Sequence, residues 1–146
     1  MQRCVLVLLL LLAAVIPARA QQPTDREQVR RAALDYIEGF YQGDSTKLVR
    51  SVSRDVRKNG YGRGANETAY RSMAMPYEGF MRYAAGVRAG RGGPPPNAPR
   101  DIVIYDVQDQ TASVKVTAWW GTDYMLLGKE NGRWMITHVL WQSPPR

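Results

Sequence analysis

The last third of the chain constrains the fold most, because four consecutive runs there alternate apolar and polar residues. The runs are rich in β-branched and aromatic residues, and short polar or glycine-containing turns separate them: Asp101–Gln108, Thr111–Trp120, Thr122–Glu130 and Arg133–Gln142. This pattern is typical of an antiparallel meander, in which each strand pairs with the next one along the chain. We therefore predict a four-stranded sheet in this region.

The turns between these runs predict a register, and the register assigns each side chain to one face of the sheet. A two-residue turn at Asn131-Gly132 sets Met125 opposite His138, with two further pairs on the same face. The predicted pairs are Leu127 with Ile136, Met125 with His138, Asp123 with Leu140, Val107 with Ala112, Tyr105 with Val114, Val103 with Val116, Val116 with Met125 and Ala118 with Asp123. All of these residues are predicted to share one face.

The first twenty residues are predicted to be a signal peptide and not part of the fold. Arg3 precedes an unbroken apolar run of 12 residues, Val5–Ile16, and Ala18-Arg19-Ala20 has the small-x-small form of a cleavage site. The run is too short to span a bilayer, which needs about 20 apolar residues. We therefore predict cleavage after Ala20 and a secreted or periplasmic domain, residues 21–146.

Composition limits the other possibilities for the exported chain. Cys4 is the only cysteine, so the domain has no disulfide and must be stabilised by one packed core. Basic residues outnumber acidic ones and cluster between Lys47 and Arg63. This cluster is either a solvated basic face or a contact for an anionic surface. No nucleic-acid motif accompanies it, so no nucleic-acid partner is predicted.

Helices are predicted before the meander. Thr24-Asp25-Arg26-Glu27 is a capping box that opens a first helix, Asp44 or Ser45 caps a short second helix, and Pro76 suits the start of a third helix, Tyr77–Ala85. The segments between them are predicted to be turns at Asn59-Gly60 and Gly62–Asn66, a weakly patterned strand at Thr68–Met75, and a long loop at Gly86–Pro99. The order indicates an α+β fold.

Two segments resemble a known family. The stretch Thr122–Lys129 with its continuation Asn131–Ile136, and the opening helix Ala33–Asp44, are similar to the putative lumazine-binding branch of the NTF2-like superfamily. The resemblance implies an NTF2-like cone, with N-terminal helices packed on a curved antiparallel sheet around a pocket. It also implies homodimers paired through the sheet. The superfamily includes isomerases, dehydratases and binding proteins, so the fold does not decide the activity.

Aromatic residues favour a small-molecule ligand, because flat rings that look inward suit a flat heterocycle or a hydrophobic molecule. The predicted ligand-binding residues are Tyr36, Phe40, Tyr61, Tyr105, Met125 and Trp134. The alternative is that these residues only fill the core.

An isomerase or dehydratase is the alternative activity. His138 is the only histidine, and the predicted register sets it on the same face as Asp123, where the two could act as a general acid–base pair. Structural roles for both residues remain open. One histidine supplies too few ligands for a transition-metal site, so neither a metal nor a cofactor is predicted.

The opposite face of the sheet is also predicted to be apolar, and a sheet that is apolar on both sides must cover both. The predicted homodimer interface is Trp119, Tyr124, Val139 and Trp141. The leading hypothesis is therefore an exported domain that binds a small molecule without turning it over. The alternatives are an isomerase or dehydratase, or a protein-interaction module that acts through this face.

Overall fold

The computed structural model describes residues 23–145, in which three helices pack on one face of a curved, unclosed six-stranded sheet. The predicted signal peptide and its cleavage site lie outside the described residues, so export stays a prediction. Among residues 23–145, no helix is both long and apolar enough to cross a membrane.

The helices begin where the capping residues predict. The capping box is confirmed at α1, Asp25–Gln42, which ends at Gly43 in the left-handed conformation. Asp44 caps α2, Ser45–Ser51, by accepting a hydrogen bond from the Thr46 amide. The third helix, α3, is Tyr77–Arg88 and continues past Gly86, where we predicted its end. A helix interior tolerates one glycine at a cost of about 1 kcal/mol.

The sheet contains the predicted meander and two further strands. Its strands are β1 Val52–Gly62, β2 Arg71–Met75, β3 Asp101–Val107, β4 Thr111–Ala118, β5 Gly121–Glu130 and β6 Arg133–Gln142. The spatial order is β2-β1-β6-β5-β4-β3, in which β3 to β6 form the antiparallel meander. The β1–β6 pair is parallel, so the sheet is not antiparallel throughout.

Strand β1 was missed by the sequence prediction. Asn59-Gly60 has the composition of a turn, yet both residues lie in mid-strand between β2 and β6. The reason lies in the neighbouring strand: a Cβ on Gly60 would lie 2.5 Å from the Trp141 carbonyl oxygen and 2.6 Å from Cε3 of its ring. The glycine therefore makes room for a close contact between strands instead of turning the chain.

The predicted register is correct beside the turns and wrong beyond two β-bulges. Leu127 pairs with Ile136 as predicted, but Thr137 is then an extra residue in β6, so Met125 pairs with Val139 and not with His138. A bulge inserts one residue and reverses which face the following side chains occupy. Asp123 accordingly pairs with Trp141, not with Leu140.

A second bulge at Tyr105 and a shorter turn change the remaining pairs. Val107 pairs with Ala112 as predicted, but the Tyr105 and Val103 predictions are wrong, since Ile104 and Ile102 take their places opposite β4. The β4–β5 turn consists of Trp119 and Trp120 alone. The pairs it forms are Ala118 with Gly121, Val116 with Asp123 and Val114 with Met125, so both predicted pairs across this turn are wrong.

The core lies between the inner face of the sheet and the helices. Its largest fully buried side chains include Tyr36 and Ile37 of α1, Phe80 of α3 and Met125 and Leu127 of β5. Asp123 is also fully buried on this face. A buried carboxylate needs hydrogen-bonding or charged partners. Those of Asp123 lie beside a cavity.

Candidate functional site

A cavity of about 370 Å³ opens at the end of the sheet where β2 and β1 meet β6. Residues of α1, β1, β2, α3, the β4–β5 turn and β6 line it: Phe40, Lys58, Gly60, Met73, Ala74, Met75, Tyr83, Trp120 and Trp141. The volume falls in the range of small-molecule sites, and the lining is predominantly apolar and aromatic, as such sites usually are.

The polar wall of the cavity is formed by Lys58 and Trp120, which share a hydrogen-bonded cluster with Asp123 and Tyr36, two fully buried residues outside the lining. Lys58 Nζ donates to the Tyr36 hydroxyl at 2.6 Å and lies 3.2 Å from Asp123 Oδ1. The Tyr36 hydroxyl lies 3.4 Å from the same carboxylate oxygen, and Trp120 Nε1 donates to the other, Oδ2, at 2.6 Å. The carboxylate thus has three donors around it, the arrangement a buried charge requires.

Aromatic rings enclose the Lys58 ammonium group. Its Nζ lies between 5.3 and 6.0 Å from five ring centroids, those of Tyr36, Phe40, Phe80, Trp120 and Trp141. At these distances ring faces attract a cation. Only 9% of the Lys58 side chain is exposed, and none of Asp123.

Burial governs the protonation of the cluster. It lowers the pKa of Lys58 because desolvation disfavours the ammonium, although the neighbouring Asp123 carboxylate opposes this change. Burial also raises the pKa of Tyr36 well above its ordinary value, and the Asp123 charge adds to the rise. Tyr36 is therefore a neutral hydroxyl at physiological pH.

Local structure explains why these side chains converge. Along β1, alternate residues Val56, Lys58 and Gly60 face the helices. Asp123 follows the tight β4–β5 turn, which holds the Trp120 indole three residues before it. The bulge at Thr137 turns Trp141 to the same face.

The structure brings only one of the six predicted ligand-binding residues into the cavity lining. Phe40 lines the cavity, and Tyr36 lies behind Lys58 as its hydrogen-bond partner. Met125 and Trp134 are buried in the core, where Trp134 Nε1 donates to Asp25 Oδ1 at 2.9 Å.

The other two predicted ligand-binding residues, Tyr61 and Tyr105, face solvent and are at least half exposed. The prediction that Tyr105 looks inward is therefore wrong, and its cause is the bulge at this residue.

The predicted pairing of Asp123 with His138 is also wrong, because the two residues lie on opposite faces of the sheet. Asp123 faces α1, whereas His138 is exposed on the outer face and its Nδ1 lies 3.1 Å from the Thr137 hydroxyl. The Thr137 bulge separates the two residues. No general acid–base pair of these residues forms.

The four residues of the predicted dimer interface lie on both faces of the sheet, two on each. Trp119 and Tyr124 are exposed as predicted. Val139 belongs to the core and Trp141 lines the cavity, so placing both on the outer face is wrong. The outer face instead carries five half-exposed apolar side chains: Val103, Tyr105, Tyr124, Leu126 and Leu140.

Sequence reasoning missed Lys58 and Trp120 and gave Trp141 another role. Lys58 was counted only as a member of the basic cluster. No local pattern in the sequence marks it, because the inward-facing alternation of Val56, Lys58 and Gly60 depends on the pairing of β1 with β6.

The basic cluster is not a uniform solvated face. Lys47 is paired with Glu38, and Arg50 donates to both carboxylate oxygens of Asp35 at 2.5 and 2.7 Å. Contact with an anionic surface stays a prediction. Within residues 23–145, no group of three or more histidine, cysteine, aspartate or glutamate residues is placed to hold a metal ion.

Similarity to known proteins identifies the family of this chain. The family model described as putative lumazine-binding matches residues 24–142. A search of curated proteins found no match.

Three solved structures of NTF2-like proteins of unknown function share the fold. The one from Shewanella baltica OS155 is 21% identical, with a TM-score of 0.58 over 83% of this chain and 94% of that one. For the one from Silicibacter pomeroyi DSS-3 the identity is 15% and the TM-score 0.58, over 84% and 100%. The one from Methylobacillus flagellatus KT is 17% identical, with a TM-score of 0.57 over 83% and 93%. Because the family model spans most of the sequence and the fold agrees with it, this chain belongs to the putative lumazine-binding family and has the NTF2-like fold.

Proposed function

We propose that the protein binds a small, flat molecule in the cavity between the sheet and the helices. The observation that carries this proposal is the cavity itself, about 370 Å³ in volume and walled by the rings of Phe40, Tyr83, Trp120 and Trp141. Flat rings give a planar ligand stacking surfaces, and the family description names lumazine, a planar bicyclic heterocycle.

Binding without turnover suits the chemistry of the cavity wall. Lys58, Asp123 and Tyr36 are hydrogen-bonded to one another. A general base must accept a proton from the ligand, and the one carboxylate of this cluster is fully buried and already surrounded by three donors. The polar cluster is better suited to hold one end of a ligand and fix its orientation.

Calorimetric titration with lumazine and a panel of planar bicyclic compounds tests the proposal. Met75→Trp fills the cavity and is expected to abolish binding, whereas Val49→Trp adds the same side chain to the exposed surface of α2 and is expected to leave binding unchanged. Equal loss in both variants, or no binding to the folded wild-type protein by any compound, would contradict the cavity as the site.

We propose further that two copies pair through the outer face, because five half-exposed apolar side chains share it and such patches mark interaction sites. Tyr124→Glu is expected to give a folded monomer in sedimentation experiments, because pairing would bury the new charge. Val49→Glu alters an equally exposed apolar residue on α2 and is the control. A monomeric wild-type protein, or a dimeric Tyr124→Glu variant, would contradict this pairing.

A further inference from the structure

We infer that the cavity selects neutral planar molecules carrying a hydrogen-bond acceptor such as a ketone or lactam carbonyl, and that it discriminates against carboxylates of the same shape. This inference rests on the proposed function, since it concerns which molecule the cavity takes. Three features of the cavity wall and of the residues behind it support the inference. The Asp123 carboxylate already has hydrogen-bond donors, Lys58 and Trp141 have N–H groups without an acceptor, and the Lys58 and Asp123 charges cancel.

The Asp123 carboxylate is occupied. Lys58, Tyr36 and Trp120 surround its two oxygens at 2.6 to 3.4 Å, and the side chain is fully buried. Because Asp123 does not itself line the cavity, a ligand N–H group could reach it only by displacing Lys58 or Trp120, which would then lose a partner at a cost. The wall thus offers little to a ligand that must donate.

Two donors remain beside the cavity. An ammonium has three N–H groups, and Tyr36 and Asp123 account for two of those on Lys58. Trp141 also lines the cavity, and its Nε1 is the one buried side-chain nitrogen or oxygen in residues 23–145 with no hydrogen-bond partner. Unpaired buried donors are rare and costly. A ligand carbonyl oxygen that reaches either donor would give it a partner.

Tyr83 is the remaining polar side chain of the lining. Its hydroxyl can donate or accept, so it does not oppose a carbonyl ligand.

The charge of the wall is balanced before any ligand arrives. The Lys58 ammonium and the Asp123 carboxylate form an ion pair with no net charge, and Lys58 is the one charged side chain that lines the cavity among the described residues. A bound carboxylate would bring an uncompensated negative charge into an apolar space, which is strongly unfavourable. A neutral carbonyl brings an acceptor without that cost.

Equilibrium dialysis at pH 7 with three matched ligands tests the inference. The ligands are 2-acetylnaphthalene, 2-ethylnaphthalene and 2-naphthoate, which share one ring system and differ in the acceptor and the charge. We expect the ketone to bind about tenfold more tightly than the hydrocarbon, the effect of a typical hydrogen bond. We expect 2-naphthoate to bind at least about tenfold more weakly than the ketone.

Two variants assign the effect to the named donors. Trp141→Phe removes the N–H group and breaks no existing hydrogen bond, but it also shortens one ring of the cavity wall. It should therefore weaken binding of the ketone by a larger factor than binding of the hydrocarbon, whose loss reports the ring area alone. The double variant Lys58→Met with Asp123→Asn keeps the site neutral and should remove what advantage remains. Trp141→Phe alone keeps the test decisive if the double variant does not fold.

The binding results distinguish failure of the carbonyl preference from failure of the proposed binding function. Equal binding of ketone and hydrocarbon would overturn the inference while leaving a hydrophobic binding cavity in place. Tightest binding of 2-naphthoate would overturn the charge argument and with it the inference. Absence of binding by all three ligands to folded protein would overturn the proposed function as well.

Discussion

Two aspartates in this molecule have the same kinds of partner and very different surroundings. Asp123 contacts a lysine ammonium and accepts from a tryptophan indole, Lys58 and Trp120. Asp25, in the first turn of α1, does the same with Lys129 and Trp134. The Asp123 side chain is fully buried, whereas 40% of the Asp25 side chain is exposed. Burial, rather than residue type, therefore distinguishes the candidate site at Asp123 from the contact of Asp25 with Lys129 and Trp134, which we call the surface clip.

The difference follows from the cost of removing charge from water. At the surface, an ion pair gains little because water and salt screen it. In the interior the charges cannot be released to water, so each partner depends on the other. Altering one side chain of the Lys58 cluster therefore leaves a buried charge or polar group without its partner. A ligand that supplies a partner to such a group gains binding energy.

The largest expected contrast comes from removing each lysine. Lys58→Met leaves the Asp123 carboxylate buried without its counter-charge and should lower the free energy of unfolding by about 3–5 kcal/mol. Lys129→Met at the surface clip should cost a small fraction of that. Urea denaturation of both variants measures the difference. Similar losses in the two would mean that burial does not distinguish the clusters.

A smaller contrast is expected from the two indoles. Trp120→Phe removes a donor to the buried carboxylate and should cost about 1.5–3 kcal/mol, the range for hydrogen bonds to charged groups, in addition to the lost ring volume. Trp134→Phe loses the same volume, so the difference between the variants in thermal denaturation reports the hydrogen bonds. A larger loss for Trp134→Phe would reverse the comparison.

The smallest effect is a pH dependence at the surface clip. Hydrogen bonds from Lys129 and Trp134 hold the pKa of Asp25 below its ordinary value of 3.8. Its contribution to stability is therefore complete above that value and is lost as the pH falls through the lower folded-state pKa. The stability difference between wild type and Asp25→Asn should be present near pH 6 and shrink towards pH 3 in urea denaturation. A difference that does not change with pH would contradict this role for Asp25.

Local signals in the sequence predicted the elements that depend on local interactions. The capping box at Thr24 and the turn at Asn131-Gly132 were both correct, because each sets its own geometry with nearby residues. Asn131 and Gly132 have φ values of 49° and 76°, which suit a tight hairpin turn. The antiparallel meander followed from such turns and from the alternation between them.

The bulges could not be predicted, because nothing in the residues at Tyr105 or Thr137 marks an extra position in a strand. A bulge bends its strand and increases the local twist, so its position depends on how the strand fits the sheet. Every face assignment beyond these points was therefore reversed, including those of His138, Val139 and Trp141. This error created the supposed Asp123–His138 pair and concealed the role of Trp141.

Lys58 was missed for a different reason. A lysine in a basic segment is usually solvated, and β1 was not recognised because Asn59-Gly60 has the composition of a turn. Only the pairing of β1 with β6 brings Lys58 beneath the helices and beside Asp123. The candidate site thus depends on contacts between residues far apart in the sequence, which local patterns do not encode.

The extra residue in β6 has an evolutionary consequence. Deleting the single codon for Thr137 would rotate the rest of the strand by half a turn, exchanging Trp141 at the cavity for a neighbour that now points away. A related gene could therefore acquire a differently lined chamber through a change of length alone, with every other amino acid conserved.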